Sequence, residues 1–261
     1  MSQIHPTAVI EPGARLGAEC VVGPYAFIGA RVRLGDANVI GPHAVVEGET
    51  DIGPGNRILQ FASIGAGPQA DGWAGEAGAL VIGTGNVFRE QVTVNSSTGD
   101  EPTRIGDRCL LMAAAHVAHG VRLGDDVRMA NAATLGGEVE VGDGAWLGGL
   151  CAVHQRVRVG ELAFVAGGAM VVQDVPPFCT VQGDRAGLAG LNGVGLKRAG
   201  RSAAEVAALR RAYRALFLGG QGLDERLGAA RAVGGPLGLR LAEFMTASGR
   251  GVISSPRRRA A

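Results

Sequence analysis

Leu16-Gly-Ala-Glu-Cys-Val-Val22-Gly-Pro-Tyr-Ala-Phe-Ile28-Gly-Ala-Arg-Val-Arg-Leu34-Gly35 places an aliphatic residue followed by glycine at every sixth position. The same step runs back through Ile10 to Ile4 and forward through Ile40, Val46, Ile52, Ile58 and Ile64. It resumes at Ile82, Phe88 and Val94, and again from Ile105 through Leu111, Val117, Leu123, Met129, Leu135, Val141, Leu147, Val153, Val159 and Val165 to Val171. A six-residue period fits neither a helix of 3.6 residues per turn nor a long alternating strand. It fits a short strand followed by a sharp corner, with the aliphatic side chain pointing inward and glycine easing the corner backbone. Three such hexads close a triangular coil of eighteen residues, and stacked coils bury a column of Ile, Leu and Val that no single coil could hide. The fold class that follows is mainly β: a parallel β-helix of hexapeptide repeats over residues 1–190.

Two segments interrupt the period, at 65–81 and 95–104, and read as loops expelled from the coil, where solenoids carry binding functions. Trp73, in the first, reads equally as an anchor on its own loop or as a ligand contact. The hexads stop at Asp174-Val-Pro-Pro-Phe178, because prolines cannot donate to a strand ladder. From Ser202 the period turns helical. Ser202 and Glu205 form a capping box, Val206, Leu209, Tyr213, Leu216 and Phe217 share a face, and Gly219-Gly220 ends the helix. Two further helices are expected over 223–232 and from Pro236 to Gly249, making a C-terminal helical domain over 191–253. Residues 254–261, with Arg257-Arg258-Arg259, read as a disordered basic tail.

Composition narrows the function. Glycine is very abundant, at 44 residues, yet hydrophobics still reach 46% with no three-residue glycine period, which excludes collagen and disorder. A formal net charge of +1 gives no argument for nucleic acid. Cys20, Cys109, Cys151 and Cys179 are far apart and without metal-ligand spacing, so they read as buried thiols of a reducing compartment. With no charged-then-apolar leader and no long apolar run, the expectation is a cytoplasmic protein without an integral membrane segment.

Against this background Leu111-Met-Ala-Ala-Ala-His-Val-Ala-His-Gly120 stands out. A lone histidine at a β-helix corner is usually a cap. Two of them, His116 and His119, in a wall of alanines leave room for a ligand and offer imidazole for general-base chemistry near neutral pH. His154 lies about two coils on, some 9–10 Å along the axis, too far to complete a zinc site with them. No metal is expected.

The order of several motifs resembles the acyl-carrier-protein–UDP-N-acetylglucosamine O-acyltransferase family, which starts lipid A synthesis. They are His5-Pro-Thr-Ala8, Gln60-Phe-Ala-Ser-Ile-Gly65, Ala115-His-Val-Ala-His119, Asn131-Ala-Ala-Thr-Leu-Gly136, Ala152-Val-His-Gln155, Gln173-Asp-Val-Pro-Pro177, Gly195-Leu-Lys-Arg198 and Arg250-Gly-Val-Ile253. The resemblance implies a left-handed β-helix, a homotrimer with its site in the groove between subunits, and transfer of a (3-hydroxy)acyl chain from acyl carrier protein to the 3-hydroxyl of the UDP-sugar, with no cofactor. His119 would be the general base and the Gly137 N–H the oxyanion donor. His116 would hold sugar or pantetheine, and His154 and Gln155 would line the nucleotide or acyl groove. Asp71, Glu138, Asn192 and Arg198 complete the expected substrate contacts. Lys197, Arg198, Arg210 and Arg211 would form a basic patch for the acidic acyl carrier. Met170 aligns with the residue limiting acyl length, which implies a medium-length donor.

Four positions depart from the family's pattern. Gly120 stands where an Asp usually follows the catalytic His. Asp71 is one place displaced and its companion Lys is missing. Glu138 and Asn95 each replace a common His. These departures also suit a relative acting on a different UDP-amino sugar or, with Gly120 as its main support, a non-catalytic trimeric scaffold.

Overall fold

The computed structural model describes residues 1–254; the rest of the basic tail, 255–261, lies outside the described residues. Strands of two to five residues wind through three sheets that form the faces of a triangular prism, all parallel except for the last strand of the first. The first face has 11 strands, the second 9 and the third 8. Register is fixed by the coil: Gln3 pairs with Val21, Val9 with Phe27 and Arg15 with Arg33.

From Val22 onward every aliphatic of the six-residue series is buried. Ile4 is 48% exposed because the first coil has no coil beneath it. The loops leave the prism between Ser63–Ala66 and Leu80–Ile82 and between Thr93–Asn95 and Thr103–Ile105, so the ladders pass them unbroken: Leu80 still pairs with Thr50 and with Thr103.

The glycines after the aliphatics serve a different purpose from the one expected. The left-handed corner positions mostly hold other residues, among them Tyr25, His43, Phe61, Ala114, Ala132 and Leu150, with φ of 55–61°. The glycines instead permit close stacking of coils. A Cβ on Gly41 would lie 2.9 Å from the Gln60 nitrogen, and one on Gly136 would lie 2.7 Å from that of Gln155. A second buried series stands two positions before each aliphatic. It is mostly small and includes Asn38, Asn56 and Asn86, which hydrogen-bond from coil to coil at the corner between the third and first faces.

The prolines do not end the first face. Pro176 and Pro177 occupy a corner, where a missing N–H costs no ladder bond, and Cys179–Gln182 then pairs in parallel with the preceding strand, Thr180 beside Phe164. Gly187–Leu191 turns back antiparallel and closes that sheet. Four helices follow: α1 (Gly193–Arg198), α2 (Ala203–Leu218), α3 (Leu223–Val233) and α4 (Gly235–Thr246). The capping box is formed in both directions, with the Glu205 N–H donating to the Ser202 hydroxyl at 3.2 Å and the Ser202 N–H to the Glu205 carboxylate at 2.8 Å. Leu209, Leu216, Leu227, Leu237 and Leu241 pack with Phe178 into a second core. All four cysteines are unpaired and buried. Among the described residues no helix is long and apolar enough to cross a membrane.

Candidate active site

Val94, Val117, Leu135 and Val153 are ladder neighbours on the second face, so the corner residues after them also stack. His119, Gly137 and Gln155 form one column at the corner between the second and third faces, and Ala118, Gly136 and His154 form the next. The Glu138 N–H donates to the His119 carbonyl and the Arg156 N–H to the Gly137 carbonyl, both at 2.9 Å, fixing the two coils against each other. The half-buried His119 ring lies directly over Gly137: a Cβ there would sit 2.7 Å from Nε2. A side chain at 137 would push the imidazole aside. The Gly137 N–H finds no acceptor among the described residues.

The Asp expected from the resemblance is absent, and among the described residues no side chain replaces it as a partner. His119 Nδ1 is buried without a hydrogen bond among the described residues. Gly120, at φ +68°, instead donates its N–H to the Thr103 hydroxyl at 2.8 Å. Glu138 fills the space beside it: a Cβ on Gly120 would lie 3.1 Å from the Glu138 Cγ. The Glu138 carboxylate is held in a two-pronged pair with Arg156, at 3.0 and 3.1 Å.

His116 projects from the second face beside His119. Its Nδ1 lies 2.7 Å from the Thr93 hydroxyl on the preceding coil. Burial, reinforced by the nearby His119, lowers its pKa, so the ring is neutral around pH 7. Along the same outward column the ladder runs His116, Thr134, Ala152, Met170. Three strand spacings, about 14 Å, separate the first from the last. The side chains between are small, and Met170, 40% exposed, rises at the end of the trough. His154 and Gln155 are exposed on the adjoining corner. The Arg250 guanidinium lies 2.9 Å from His154 Nδ1.

Other expected residues lie elsewhere in the chain. Asp71 is exposed in the first loop, and the indole of Trp73 rests on Gly75 of that loop, Nε1 lying 3.2 Å from where a Gly75 Cβ would be. Asn192 caps α1, accepting the Gly195 N–H at 2.9 Å and donating to the Leu162 carbonyl at 2.8 Å. Arg198 lies over the Trp146 ring, 5.5 Å from its centroid. Asn192, Trp146 and Arg198 line a cavity of 1110 Å³ between the first face and α1. That face is not the one carrying His116, so a single chain does not bring Asn192 and Arg198 to His119. Lys197, Arg210 and Arg211 are exposed on α1 and α2.

Sequence reading missed Thr93, Thr103, Arg156 and Arg250. The coil repeat could have found Thr93, had the second insertion been subtracted from its 23-residue distance to His116. It also missed that the Asn95 amide is buried, donating to the Gly67 carbonyl at 2.8 Å while its Oδ1 has no partner among the described residues. Among the described residues no cluster of three His, Cys, Asp or Glu side chains could hold a metal.

A solenoid of hexapeptide coils with an imidazole packed over a glycine of the next coil fits the class of hexapeptide-repeat acyltransferases. Comparison narrows the class. Residues 174–253 match the family described as "Udp N-acetylglucosamine O-acyltransferase; Domain 2". The acyl-[acyl-carrier-protein]–UDP-N-acetylglucosamine O-acyltransferase of Halorhodospira halophila is 48% identical over 227 residues, 86% of this chain and 88% of the relative. That of Janthinobacterium is 45% identical over 261 residues, 97% of this chain and 100% of the relative. The crystal structure of the Moraxella catarrhalis UDP-N-acetylglucosamine O-acyltransferase superposes with a TM-score of 0.92 at 35% identity, covering 96% of this chain and 99% of the other. The chain belongs to the acyl-[acyl-carrier-protein]–UDP-N-acetylglucosamine O-acyltransferase family.

Proposed function

We propose that this protein moves a (3-hydroxy)acyl chain from acyl carrier protein to the 3-hydroxyl of UDP-N-acetylglucosamine, the first step of lipid A synthesis, in the cytoplasm. The observation that carries the reading is the His119 ring seated over Gly137, whose N–H finds no acceptor among the described residues. His119 Nε2 takes the proton of the 3-hydroxyl as its oxygen attacks the thioester carbon. The Gly137 N–H receives the developing oxyanion. As the tetrahedral intermediate collapses, the C–S bond breaks and the imidazolium returns the proton to the leaving thiolate. Neutral His116 serves as a hydrogen-bonding group for sugar or pantetheine, because the shift of its pKa disfavours the cation. The trough from His116 to Met170 takes the acyl chain, and Met170 stops it. The thioester already carries the activation, so no cofactor enters the scheme.

A homotrimer completes this site. Asn192 and Arg198 lie on a different face from His119 within one chain, and in such a trimer a neighbouring copy would supply them to the nucleotide. The corner between the first and second faces carries an exposed ladder that a second copy would cover: Tyr25, His43 and Phe61 stack with centroids 5.0 and 5.3 Å apart, and Leu150, 70% exposed, stands further along. Lys197, Arg198, Arg210 and Arg211 steer the acidic acyl carrier, an effect that weakens with salt.

A second reading keeps the donor and changes the acceptor to another UDP-amino sugar. It is favoured by the Glu138–Arg156 pair and the unpaired Asn95 Oδ1 at positions where the family pattern has histidines. A single-turnover assay by mass spectrometry separates the two, with 3-hydroxyacyl carrier proteins of several lengths offered with a panel of UDP-amino sugars. Acylated UDP-N-acetylglucosamine is the expected product. Transfer only to another sugar would establish the second reading, and no transfer from a folded trimer would leave a scaffold.

A further inference from the structure

The segment Arg250-Gly-Val-Ile253 lies far from the catalytic corner in sequence, yet it returns to the solenoid at His154. It is tied down at several points. The Ser248 hydroxyl donates to the Asp174 carboxylate at 2.8 Å. The Asp174 N–H donates to the Gly251 carbonyl at 3.0 Å, and the Ile253 N–H to the Asp174 carbonyl at 2.9 Å. Ile253 is buried in the solenoid core, and the Leu188 N–H donates to the Ser254 carbonyl at 3.2 Å. Gly251, at φ +82°, supplies the left-handed turn that lets the chain pass beside Gln173. Arg250 is thereby delivered to the corner, where its Nε donates to the Val172 carbonyl at 3.1 Å and its Nη2 lies 2.9 Å from His154 Nδ1.

A guanidinium has only donors and stays charged, so this second contact exists only when His154 Nδ1 is an acceptor. The neutral ring then carries its proton on Nε2. The local backbone favours the opposite arrangement. The Gln155 carbonyl lies 3.2 Å from the same Nδ1 and would require an Nδ1–H. One ring nitrogen cannot serve both partners. The shorter, charge-assisted contact prevails.

We propose that Arg250 is a positioning residue: it fixes the tautomer of His154, so that the ring presents Nε2–H rather than a bare Nε2 to the groove. On the reading of the groove given above, that N–H donates to an oxygen of the nucleotide sugar or of the 3-hydroxyacyl chain, both rich in acceptors. Without Arg250 the ring turns its lone pair to the ligand and its proton to the Gln155 carbonyl. The C-terminal segment is then part of the binding site, acting through one imidazole.

The test uses the full-length protein with ring-15N-labelled histidine at about pH 8, where an ordinary imidazole is neutral. His154→Gln identifies the His154 resonances. The wild type should show the Nε2–H tautomer, and Arg250→Ala should convert it to Nδ1–H. Ser248→Ala, which loosens the same segment without touching Arg250, should leave the tautomer unchanged. In steady-state assays that vary UDP-N-acetylglucosamine and the acyl donor in turn, Arg250→Ala should raise the KM of the substrate that accepts the N–H about tenfold with a smaller change in kcat, the size expected for one hydrogen bond. Adding Arg250→Ala to His154→Gln should raise it no further. An Nδ1–H tautomer in the wild type, an Nε2–H tautomer that survives Arg250→Ala, or a further KM rise in the double variant would each overturn the proposal. The tautomer is read without substrate. A protein that switches tautomer as described but acylates no UDP-N-acetylglucosamine would sink the functional reading and uphold the positioning role.

Discussion

At the corner between the third and first faces, Asn38, Asn56 and Asn86 stack on successive coils with their amides paired. Asn56 donates to the carbonyls of Gly53 and Gly83, at 2.7 and 3.0 Å, and accepts from the Asn86 backbone and side chain, both at 2.9 Å. Asn86 passes the ladder on by accepting the Cys109 N–H at 2.7 Å. At the corner between the second and third faces, built on the same repeat, His119 Nδ1 and Asn95 Oδ1 are buried without partners and the Gly137 N–H has no acceptor among the described residues. Leaving buried polar groups unpaired costs stability. One corner therefore spends its polar groups on holding the coils together, and the other leaves them unpaired within the chain, as the proposed site requires. A repeat supplies both from one backbone because the side chains at a corner are independent of the inward aliphatics that specify the fold.

The sharpest way to break this contrast is to remove its central group. His119→Ala should lower the single-turnover rate by roughly 10²–10⁴ while the thermal midpoint stays near the wild-type value. A surviving rate would retire His119 as the base. The paired corner should answer the other way. Asn56→Ala should cost about 2–4 kcal/mol in denaturant unfolding, because it strands several buried partners at once, with kcat unchanged. A larger loss of rate than of stability would erase the distinction.

Met170→Gly sharpens the contrast by locating the far end of the trough. Donor preference should move to longer chains by about tenfold in kcat/KM, as when a hydrophobic pocket gains space for further methylenes. An unchanged chain-length profile would place the groove elsewhere. Gly120→Asp addresses the unpaired Nδ1. Aspartate tolerates the left-handed backbone better than most residues, and a carboxylate beside the imidazole would stabilise its cation, so kcat should rise about threefold to tenfold. A fall in kcat would mean that the added Cβ, 3.1 Å from the Glu138 Cγ, disturbs the corner more than the carboxylate helps the imidazole.

The smallest effect concerns pH. His116 is buried neutral, its pKa lowered in the folded protein by burial and by His119. The unfolded chain then binds its proton first. The contribution to stability is complete above the unfolded value near 6.5 and is lost as pH falls through the lowered folded value. His116→Gln should flatten that acid limb, which begins as pH falls below about 6.5, in denaturation midpoints. An identical slope in the variant would show that other groups set it.

The solenoid was legible because its signal repeats: Ile4 to Val171 state one period many times over, and each inward position supports the next. The helices were legible from their punctuation, notably the Ser202–Glu205 box. The corners were harder to read. Asn38, Asn56 and Asn86 sit two positions off the aliphatic series, and nothing in a period of six separates a paired amide from a solvated one. Thr93 and His116 are neighbours only after an insertion is taken out of the count, and Arg250 reaches His154 across 96 residues. The corner glycines were found but misread, because the backbone they must avoid belongs to the next coil. Such contacts depend on coil-to-coil register, which a linear reading does not display.

That register has a consequence for evolution of the donor. The outward column that ends at Met170 has one side chain per coil, so a blocking residue can move only from one rung to the next, in steps of about 4.8 Å. With the groove placed as proposed, acyl length would be selected by a digital gauge rather than a sliding one. Lineages would be expected to differ by discrete increments of chain length, each traceable to a single substitution on one stripe of the prism.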